Sequence, residues 1–375
     1  MGQKDTKIKI LHITQVQGGI QTYIEQIYHN IDNTKFEIEI ACPEEQKSLV
    51  EFAKANNIKW YPLKLKWQIS PISDLLSTLR IAHLVRKSNP DLVHAHSSKA
   101  GFVTRIASIF FKPTVLYTPN AYAFLGHKGI KRSIFLTIEK ISRLFTDILL
   151  ASSKSEEIRS IKEVKIPKHK VRLFPNSIDI PEFTRVDKSR SANQTITTVG
   201  RLVYQKNPMM FLRVCKILKD RGVNAHFQII GAGFEDRLKE EIDSLMKEYD
   251  LFNNLTIFDW MNREELIRKL QETDVFVMTS NFESFGYVAA EAQSLKIPVV
   301  TTDVDGLNEI VADNETGFLI QVDDDNRMAD KIIWLLEHKE KAKEMGQKGR
   351  ERVTEQFNIR TNIAILENIY KEYSS

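Results

Sequence analysis

A run of about 18 consecutive apolar residues, the length that a transmembrane helix needs, occurs nowhere in the 375-residue sequence. The most hydrophobic segments, FVTRIASIFF and IFLTIEKISRLF, are interrupted by charged residues. The first apolar segment, IKILHITQV, is short and leads directly into a glycine pair, so it indicates a first β-strand and not a signal peptide. The sequence therefore argues against a membrane-spanning protein and predicts a cytoplasmic one.

Cysteine is scarce as well. The two cysteines, Cys42 and Cys215, are far apart in the sequence and predict neither a disulfide framework nor a metal site. His94 and His96 come at the end of a predicted strand, and we expect their side chains on opposite faces of the sheet, which argues against a shared metal ion. A reducing compartment is the simplest one for this composition.

Net charge is small, at +4, but it is unevenly distributed. Residues 1–180 hold 27 Lys and Arg against 16 Asp and Glu, whereas the remainder holds 26 against 33. Cations of the first half cluster with aromatic and aliphatic residues at 64–67, 110–112, 128–132 and 165–172. This mixture favours an anionic membrane surface over nucleic acid, for which the sequence has no fold signature. A solvated basic face is the simpler alternative.

Short apolar strands alternate with helical segments along the chain, which is typical of doubly wound parallel α/β sheets. The alternation stops over residues 173–193, a polar stretch that contains prolines, and then restarts. We therefore predict two Rossmann-like α/β domains, at residues 1–178 and 185–357, joined by a linker. Ligands often bind between domains, so we expect the site in an interdomain cleft.

The most informative motif is NFESFGYVAAE, in which Glu283 and Glu291 are eight residues apart. The preceding DVFVMTS predicts a buried strand, and a helix should begin near Phe285 and Gly286. Glu283 then lies in the loop at the carboxyl end of the strand, and Glu291 about two turns into the helix. Ligands bind at this edge of α/β sheets, so the two carboxylates could bind sugar or ribose hydroxyls. A favourable helix-dipole contact or a solvated helix face is the alternative.

Two further segments indicate a phosphate site. TTVGRLVYQKNP places Arg201 just after a strand and Lys206 just before a helix, where cations and helix amides together suit a diphosphate. Gly18 and Gly19 separate the first strand from the first helix, where missing side chains let the backbone approach a phosphate. Ordinary surface cations and a tight turn are the alternatives.

Together these motifs resemble the retaining nucleotide-sugar glycosyltransferases of family 4, which have the GT-B architecture of two Rossmann-like domains. The resemblance covers nearly the whole chain and rests on the order of GGIQTYIE, DLVHAHSSKAGFVTRIA, VLYTPNAYAF, LFPNSID, VGRLVYQKNP, IIGAG, ESFGYVAAE, IPVVTTDVDGLNEIV and ETGFLI. It implies that the first domain binds the acceptor and the second binds the nucleotide-sugar. It also implies that a C-terminal helix, at about 358–375, returns to the first domain.

The resemblance implies a role for each charged candidate. Arg201 and Lys206 would neutralise the donor diphosphate and stabilise the charge of the leaving nucleotide. Glu291 would accept hydrogen bonds from the ribose hydroxyls, and Glu283 would hold hydroxyls of the donor sugar. No metal ion or other cofactor is expected, because the two cations would take over the part of a divalent ion.

The resemblance also implies roles for backbone groups at two glycine-containing segments. Backbone amides around Phe285 and Gly286 would face the sugar and the phosphate. Gly18 and Gly19 would approach the diphosphate from the first domain.

One departure from the family pattern follows the strand VLYTP, where the family often has His-Gly and this chain has Asn120 and Ala121. The family histidine reaches the donor sugar, whereas asparagine is shorter and cannot be charged. Our hypothesis is that the donor lacks the hydroxyl that the histidine meets, as a 6-deoxy sugar or an N-acetylated 6-deoxy sugar does. Drift within a subfamily is the alternative.

The predicted function is retaining transfer of a sugar from a nucleotide donor, UDP-linked, to a saccharide acceptor carried on undecaprenyl diphosphate. Such a step belongs to the biosynthesis of a capsule, an exopolysaccharide or an O-antigen, and it places the protein at the inner face of the plasma membrane, with no nucleic-acid partner. Two alternatives are a nucleotide-sugar epimerase of the same architecture and a catalytically silent nucleotide-sugar-binding protein. The spacing of ESFGYVAAE argues against the first, and the four intact charged residues argue against the second.

Overall fold

The computed structural model describes residues 7–15, 18–66, 70–182, 194–231 and 236–374. It divides into two compact units, one of residues 1–179 with 359–375 and one of residues 180–358. Part of the predicted linker, residues 183–193, lies outside the described residues. None of the described helices combines the length and the hydrophobicity that a membrane span requires.

The first unit contains a seven-stranded parallel sheet in the order β3-β2-β1-β4-β5-β6-β7. Its strands are β1 (Ile8–Ile13), β2 (Phe36–Cys42), β3 (Lys59–Pro62), β4 (Leu92–His96), β5 (Thr114–Thr118), β6 (Ile148–Ala151) and β7 (Val171–Leu173). Its helices include α1 (Gly19–Asn30), α2 (Lys47–Ala55), α3 (Pro71–Ser88), α4 (Ser98–Ala107), α5 (Gly129–Ser142) and α6 (Lys154–Lys162). The central strands are buried along their length, as parallel strands covered by helices on both faces must be.

The second unit contains a six-stranded parallel sheet in the order β10-β9-β8-β11-β12-β13. Its strands are β8 (Gln194–Val199), β9 (Ala225–Ile230), β10 (Leu255–Phe258), β11 (Val275–Met278), β12 (Val299–Thr302) and β13 (Gly317–Ile320). Its helices include α7 (Pro208–Asp220), α8 (Asp236–Glu248), α9 (Arg263–Gln271), α10 (Tyr287–Ser294), α11 (Asp305–Ile310), α12 (Asp325–Glu337) and α13 (Lys339–Gln356). The prediction of two doubly wound parallel α/β sheets is confirmed.

The last helix, α14 (Ile359–Tyr373), belongs to the first unit, as the family resemblance implies. It packs against α1, and its Glu367 carboxylate accepts a hydrogen bond from the Asp32 N–H at 2.8 Å. The buried Tyr370 hydroxyl lies 2.8 Å from His94 Nδ1 of β4. The C-terminal segment is therefore fixed to the sheet of the first unit by polar as well as apolar contacts.

The expectation that His94 and His96 point in opposite directions is wrong. Side chains alternate with a period of two along a strand, so residues two apart share a face. The two rings have centroids 4.1 Å apart, and His12 of the neighbouring strand joins them, with its Nδ1 2.9 Å from His96 Nε2. Nitrogen atoms of the three buried histidines lie within 4.8 Å of one another. Strand geometry therefore gives no argument against a shared metal, and the absence of a metal remains a prediction.

Burial keeps this histidine cluster uncharged. Removal from water lowers the pKa of His12 from 6.5 to about 3, and burial lowers the pKa of His94 and of His96 as well. His94 is held on both sides, because its Nε2 lies 2.8 Å from Thr118 Oγ1 while its Nδ1 contacts Tyr370. The cluster therefore joins β1, β4, β5 and α14 through neutral hydrogen bonds.

Candidate active site

The predicted residues of the second unit meet where the strand order of its sheet reverses. β8 pairs with β9, the next strand in the chain, on one side and with β11 on the other, which leaves a crevice outside the carboxyl ends of β8 and β11. Gly200 and Arg201 directly follow β8, and the loop with Glu283 follows β11. The two motifs found in the sequence therefore share one edge of the sheet.

Asn281 connects the segments that follow these two strands. Its N–H donates to the Gln205 carbonyl at 2.8 Å, and its side-chain amide donates to the Tyr204 carbonyl at 2.7 Å. Asn207 donates in turn to Asn281 Oδ1 at 3.2 Å and caps the first turn of α7. Asn281, which no sequence motif singled out, therefore fixes the turn that carries Lys206 against the loop that carries Glu283.

Lys206 and Glu283 form an ion pair, with Nζ 2.5 Å from Oε2. The Glu283 side chain is buried and that of Lys206 is half-buried, so water screens the pair less than it screens an exposed one. The pair joins the cation predicted for the diphosphate to the carboxylate predicted for the sugar. The diphosphate and the sugar are directly bonded to each other in a nucleotide-sugar, so neighbouring protein groups could bind them.

Two glycines let the Glu283 loop fold tightly. The Gly306 N–H donates to the Glu283 carbonyl at 3.1 Å, and a Cβ at position 306 would lie 2.4 Å from Phe285 Cα. Gly286, the N-cap residue just before α10, has φ of 101°, a conformation that favours glycine. The Phe285 side chain is buried against Tyr287, so it packs inside the unit and is not available to a ligand. Gly306 is a contributor that the motif alone did not reveal.

Glu291 is buried and not part of a solvated face. Because α10 begins at Tyr287, Glu291 is its fifth residue, a little over one turn into the helix and not about two. Arg263, the first residue of α9, places Nε 3.4 Å from Glu291 Oε1. Burial raises the pKa of the Glu291 carboxyl, and the nearby Arg263 only partly opposes that shift. A buried carboxylate with one cationic partner retains acceptor capacity for ligand hydroxyls.

Arg201 is exposed and forms no ion pair with any residue that the structure describes. Its position depends on close backbone packing, because a Cβ on Gly231 would lie 2.0 Å from the Gly200 carbonyl oxygen. Gly231 therefore lets the segments after β8 and β9 touch. Gly233, two residues on in the same motif, lies outside the described residues.

Gly18 is the N-cap of α1 in the first unit, Gly19 is the first residue of that helix, and both are exposed. Gly18 has φ of 85°, which favours glycine, and a Cβ there would meet no described atom within 4 Å. The backbone conformation, and not a lack of space for a side chain, therefore accounts for glycine at position 18. Its exposed backbone is accessible to a ligand.

Asn120 and Ala121 both have left-handed backbones, with φ of 49° and 72°. Asparagine tolerates this conformation, but alanine does so at a cost, which explains why glycine suits the second position in the family pattern. Buried Glu156 holds the strained turn, since its Oε1 accepts from the Ala121 N–H at 3.0 Å and its Oε2 from the Ser152 N–H at 2.8 Å. Asn120 Oδ1 lies 3.5 Å from Asn176 Nδ2. No sequence motif had indicated this part for Glu156.

Two family models match the chain. Residues 18–177 match the glycosyl transferase 4-like domain, and residues 179–352 match glycosyl transferases group 1. Together the two matches span most of both units.

Named relatives agree with these matches. The chain is 34% identical over 323 residues to N-acetyl-alpha-D-glucosaminyl L-malate synthase of Bacillus anthracis, covering 80% of this chain and 79% of that protein. It is 26% identical over 390 residues to UDP-Gal:alpha-D-GlcNAc-diphosphoundecaprenol alpha-1,3-galactosyltransferase of Escherichia coli, covering 99% and 98%. Among solved structures it is similar to Anabaena Alr3699/HepE in complex with UDP-glucose, at 16% identity, with a TM-score of 0.83 and coverage of 97% and 99%.

Two Rossmann-like units with this site at a strand reversal define the GT-B class, as predicted, and the chain is a glycosyltransferase. It belongs to the glycosyl transferases group 1 family and has a glycosyl transferase 4-like first domain. The individual roles of the site residues remain predictions.

Proposed function

We propose that the chain transfers a sugar from a UDP-linked donor to a saccharide carried on a lipid diphosphate, with retention of anomeric configuration, in the biosynthesis of a surface polysaccharide. The observation that carries the proposal is the ion pair of Lys206 and Glu283 at the reversal point of β8 and β11. The name of the Escherichia coli relative, which includes both a UDP-sugar and a diphosphoundecaprenol acceptor, supports the choice of substrates.

In the proposed mechanism, the bond between the sugar anomeric carbon and the diphosphate oxygen breaks, and a bond to the acceptor oxygen forms on the same face. The acceptor hydroxyl proton passes to the departing diphosphate. Negative charge grows on the diphosphate as it leaves, and Lys206 and Arg201 stabilise that charge. Glu283 orients the sugar, and Glu291 holds the ribose. No metal ion takes part.

Donor choice depends on Asn120 in this proposal. Its short, neutral side chain follows β5 in a turn that Glu156 fixes, so it cannot move closer to a distant hydroxyl. We propose a 6-deoxy or N-acetylated 6-deoxy donor for this reason. If the enzyme uses ordinary UDP-hexoses better than their 6-deoxy counterparts, the proposed donor is wrong, but the proposed transfer reaction is unaffected.

A lipid-linked acceptor lies in a membrane, so the proposed reaction requires the protein to work at a membrane surface. We propose that the first unit binds the anionic inner face of the plasma membrane from the cytoplasm, supported by its excess of 27 Lys and Arg over 16 Asp and Glu in residues 1–180. No nucleic-acid partner is part of the proposal.

The test is a panel of UDP-hexoses, their 6-deoxy counterparts and N-acetylated forms, each incubated with the protein and an undecaprenyl-diphosphate-linked saccharide. Mass spectrometry should detect an acceptor heavier by one sugar, and NMR should show the same anomeric configuration as in the donor. Conversion of a UDP-sugar without acceptor would instead identify an epimerase. Binding of UDP with no product from any donor would indicate a silent binding protein.

A further inference from the structure

Large apolar side chains are exposed on neighbouring helices of the first unit. α3 packs against α4, and α4 packs against α5, so the three form one layer beside the sheet. Of the fifteen exposed large hydrophobic residues among those described, ten lie on α3, α5 or the short turns that follow α4 and α5. We call the exposed side of α3 and α5 the helical face; its large apolar residues in the first halves of the two helices are Ile72, Leu75, Leu76, Leu79, Ile130 and Ile134.

The spacing of these residues is that of a buried helix side. On α3 they follow the i, i+3, i+4, i+7 pattern that usually faces a core, yet Ile72 is 77% exposed and Leu79 is 48% exposed. Ile130, in the first turn of α5, is 82% exposed. Helices of a parallel α/β unit run antiparallel to its strands, so the first halves of α3 and α5 both lie toward the carboxyl edge of the sheet, where ligands bind.

No negative charge is exposed on either helix. The acidic residues within α3 and α5 are Asp74 and Glu139, and both are buried. Lys99 pairs with Asp74 at 2.5 Å, and Arg105 pairs with Glu139 at 2.8 Å. The exposed part of the helical face therefore consists of apolar, neutral polar and cationic groups.

Cations continue the apolar stripe. Arg80 and Lys87 are exposed on the second half of α3, and Lys131 is exposed beside Ile130 on α5. These side chains form no ion pairs within the described part of the chain. Their charge is therefore available to an external anion.

A groove of about 530 Å³ opens between the end of β3 and α3. Its walls include Leu63, Leu76 and Leu79, and cations at its rim include Lys64 and Arg80. Such an apolar groove with a basic rim matches the chain and phosphate of a lipid.

We infer that the helical face inserts its aliphatic side chains among the headgroups of an anionic bilayer, while its cations bind lipid phosphates. The inference rests on the proposed function in one respect, because a lipid-linked acceptor requires access to a membrane. A second copy of the chain would bring cations against cations, and nucleic acid would leave the aliphatic stripe exposed, so the charge and the apolar pattern together favour a bilayer.

The test is flotation of the full chain with phosphatidylcholine vesicles, with and without phosphatidylglycerol. We compare the wild type with an apolar variant, Leu75→Gln with Ile130→Gln, and a charge variant, Lys87→Gln with Lys131→Gln. The matched control removes two exposed aromatic residues of the second unit, Phe252→Ser with Trp260→Ser.

The wild type should float only with anionic vesicles, and high salt should release it. Each cation near an anionic surface contributes about a fivefold factor to binding, so the charge variant should bind about 25-fold more weakly. The apolar variant should lose at least about tenfold. The control should bind like the wild type, and all variants should keep the melting temperature of the wild type, because the altered side chains are exposed.

Vesicle binding that is absent in the wild type, or unchanged in both variants, would overturn the inference. A wild type that is dimeric in analytical ultracentrifugation, with an apolar variant that is monomeric, would also overturn the inference, because the helical face would then bind a second copy of the chain. Transfer to a water-soluble acceptor analogue keeps the two proposals apart. Transfer without vesicle binding would refute the helical face and the membrane binding proposed for the first unit, but not the transfer reaction. Vesicle binding without transfer from any donor would refute the transfer reaction, but not the helical face.

Discussion

Replacement of Glu291 by glutamine separates the two effects that this side chain is expected to have. The carboxylate is buried, with Arg263 at 3.4 Å as its cationic partner. Glutamine has nearly the same shape but no charge, so Glu291→Gln removes the cost of burying a charge and also weakens hydrogen bonds to the ligand.

The effect on nucleotide binding follows from hydrogen-bond strength. A hydrogen bond to a charged group contributes about 1.5–3 kcal/mol and a neutral one about 1 kcal/mol, so loss of the charge should cost about 0.5–2 kcal/mol. That corresponds to about 2- to 30-fold weaker UDP binding by calorimetry. Glu264→Gln, at an exposed position of α9, is the matched control and should leave the affinity unchanged.

The effect on stability has the opposite sign. Burial raises the pKa of Glu291 above its ordinary 4.5, so its contribution to stability is fully present below pH 4.5 and is lost as the pH rises through the raised value. Glu291→Gln should therefore melt at the same or a higher temperature than the wild type near neutral pH, and the difference should shrink toward pH 4.5. UDP binding by the wild type should weaken over the same acidic range. Unchanged UDP affinity in the variant, together with a lower melting temperature at neutral pH, would refute both assignments.

Three other substitutions test the remaining contacts. Lys206→Met should lower kcat on the order of 10²-fold, because it removes charge stabilisation from the leaving group, and a loss within a few-fold in a transfer assay would contradict that role. Gly306→Ala should lower kcat/KM for transfer, because its Cβ would lie 2.4 Å from Phe285 Cα and displace the Glu283 loop; wild-type kinetics would show that the loop adapts. Tyr370→Phe should lower the free energy of unfolding in urea by about 1–3 kcal/mol, because a buried His94 nitrogen loses its partner, and unchanged stability would show that the partner is dispensable.

Periodicity and turn chemistry predicted the elements well because parallel α/β units have short apolar strands and clear glycine and proline boundaries. The segment DVFVMTS became β11, and the helix after ESFG began at Tyr287, next to the predicted residues. The error at His94 and His96 came from applying the strand period incorrectly. His12 lies 82 residues before His94, and their meeting follows from the pairing of β1 with β4, which local pattern does not give.

The site was predictable where a residue carries its own chemical signal. Glu283 and Lys206 were found as charged residues at strand ends, but their pairing is a contact between residues 77 apart. Glu156, Arg263 and Gly306 were missed because their importance lies in what they touch. A glutamate in α6 or an arginine at the start of α9 has the sequence context of an ordinary surface residue, and only the fold buries one against a turn and sets the other beside a carboxylate.

Transfer by a Glu283→Ala variant tests the central claim most directly. The wild type and the variant are each incubated with the best donor of the UDP-sugar panel and the undecaprenyl-diphosphate-linked acceptor, and the product is quantified by mass spectrometry. The account predicts that the wild type forms product and that Glu283→Ala loses nearly all transfer while it still binds UDP. Full transfer activity in the folded variant would contradict the account.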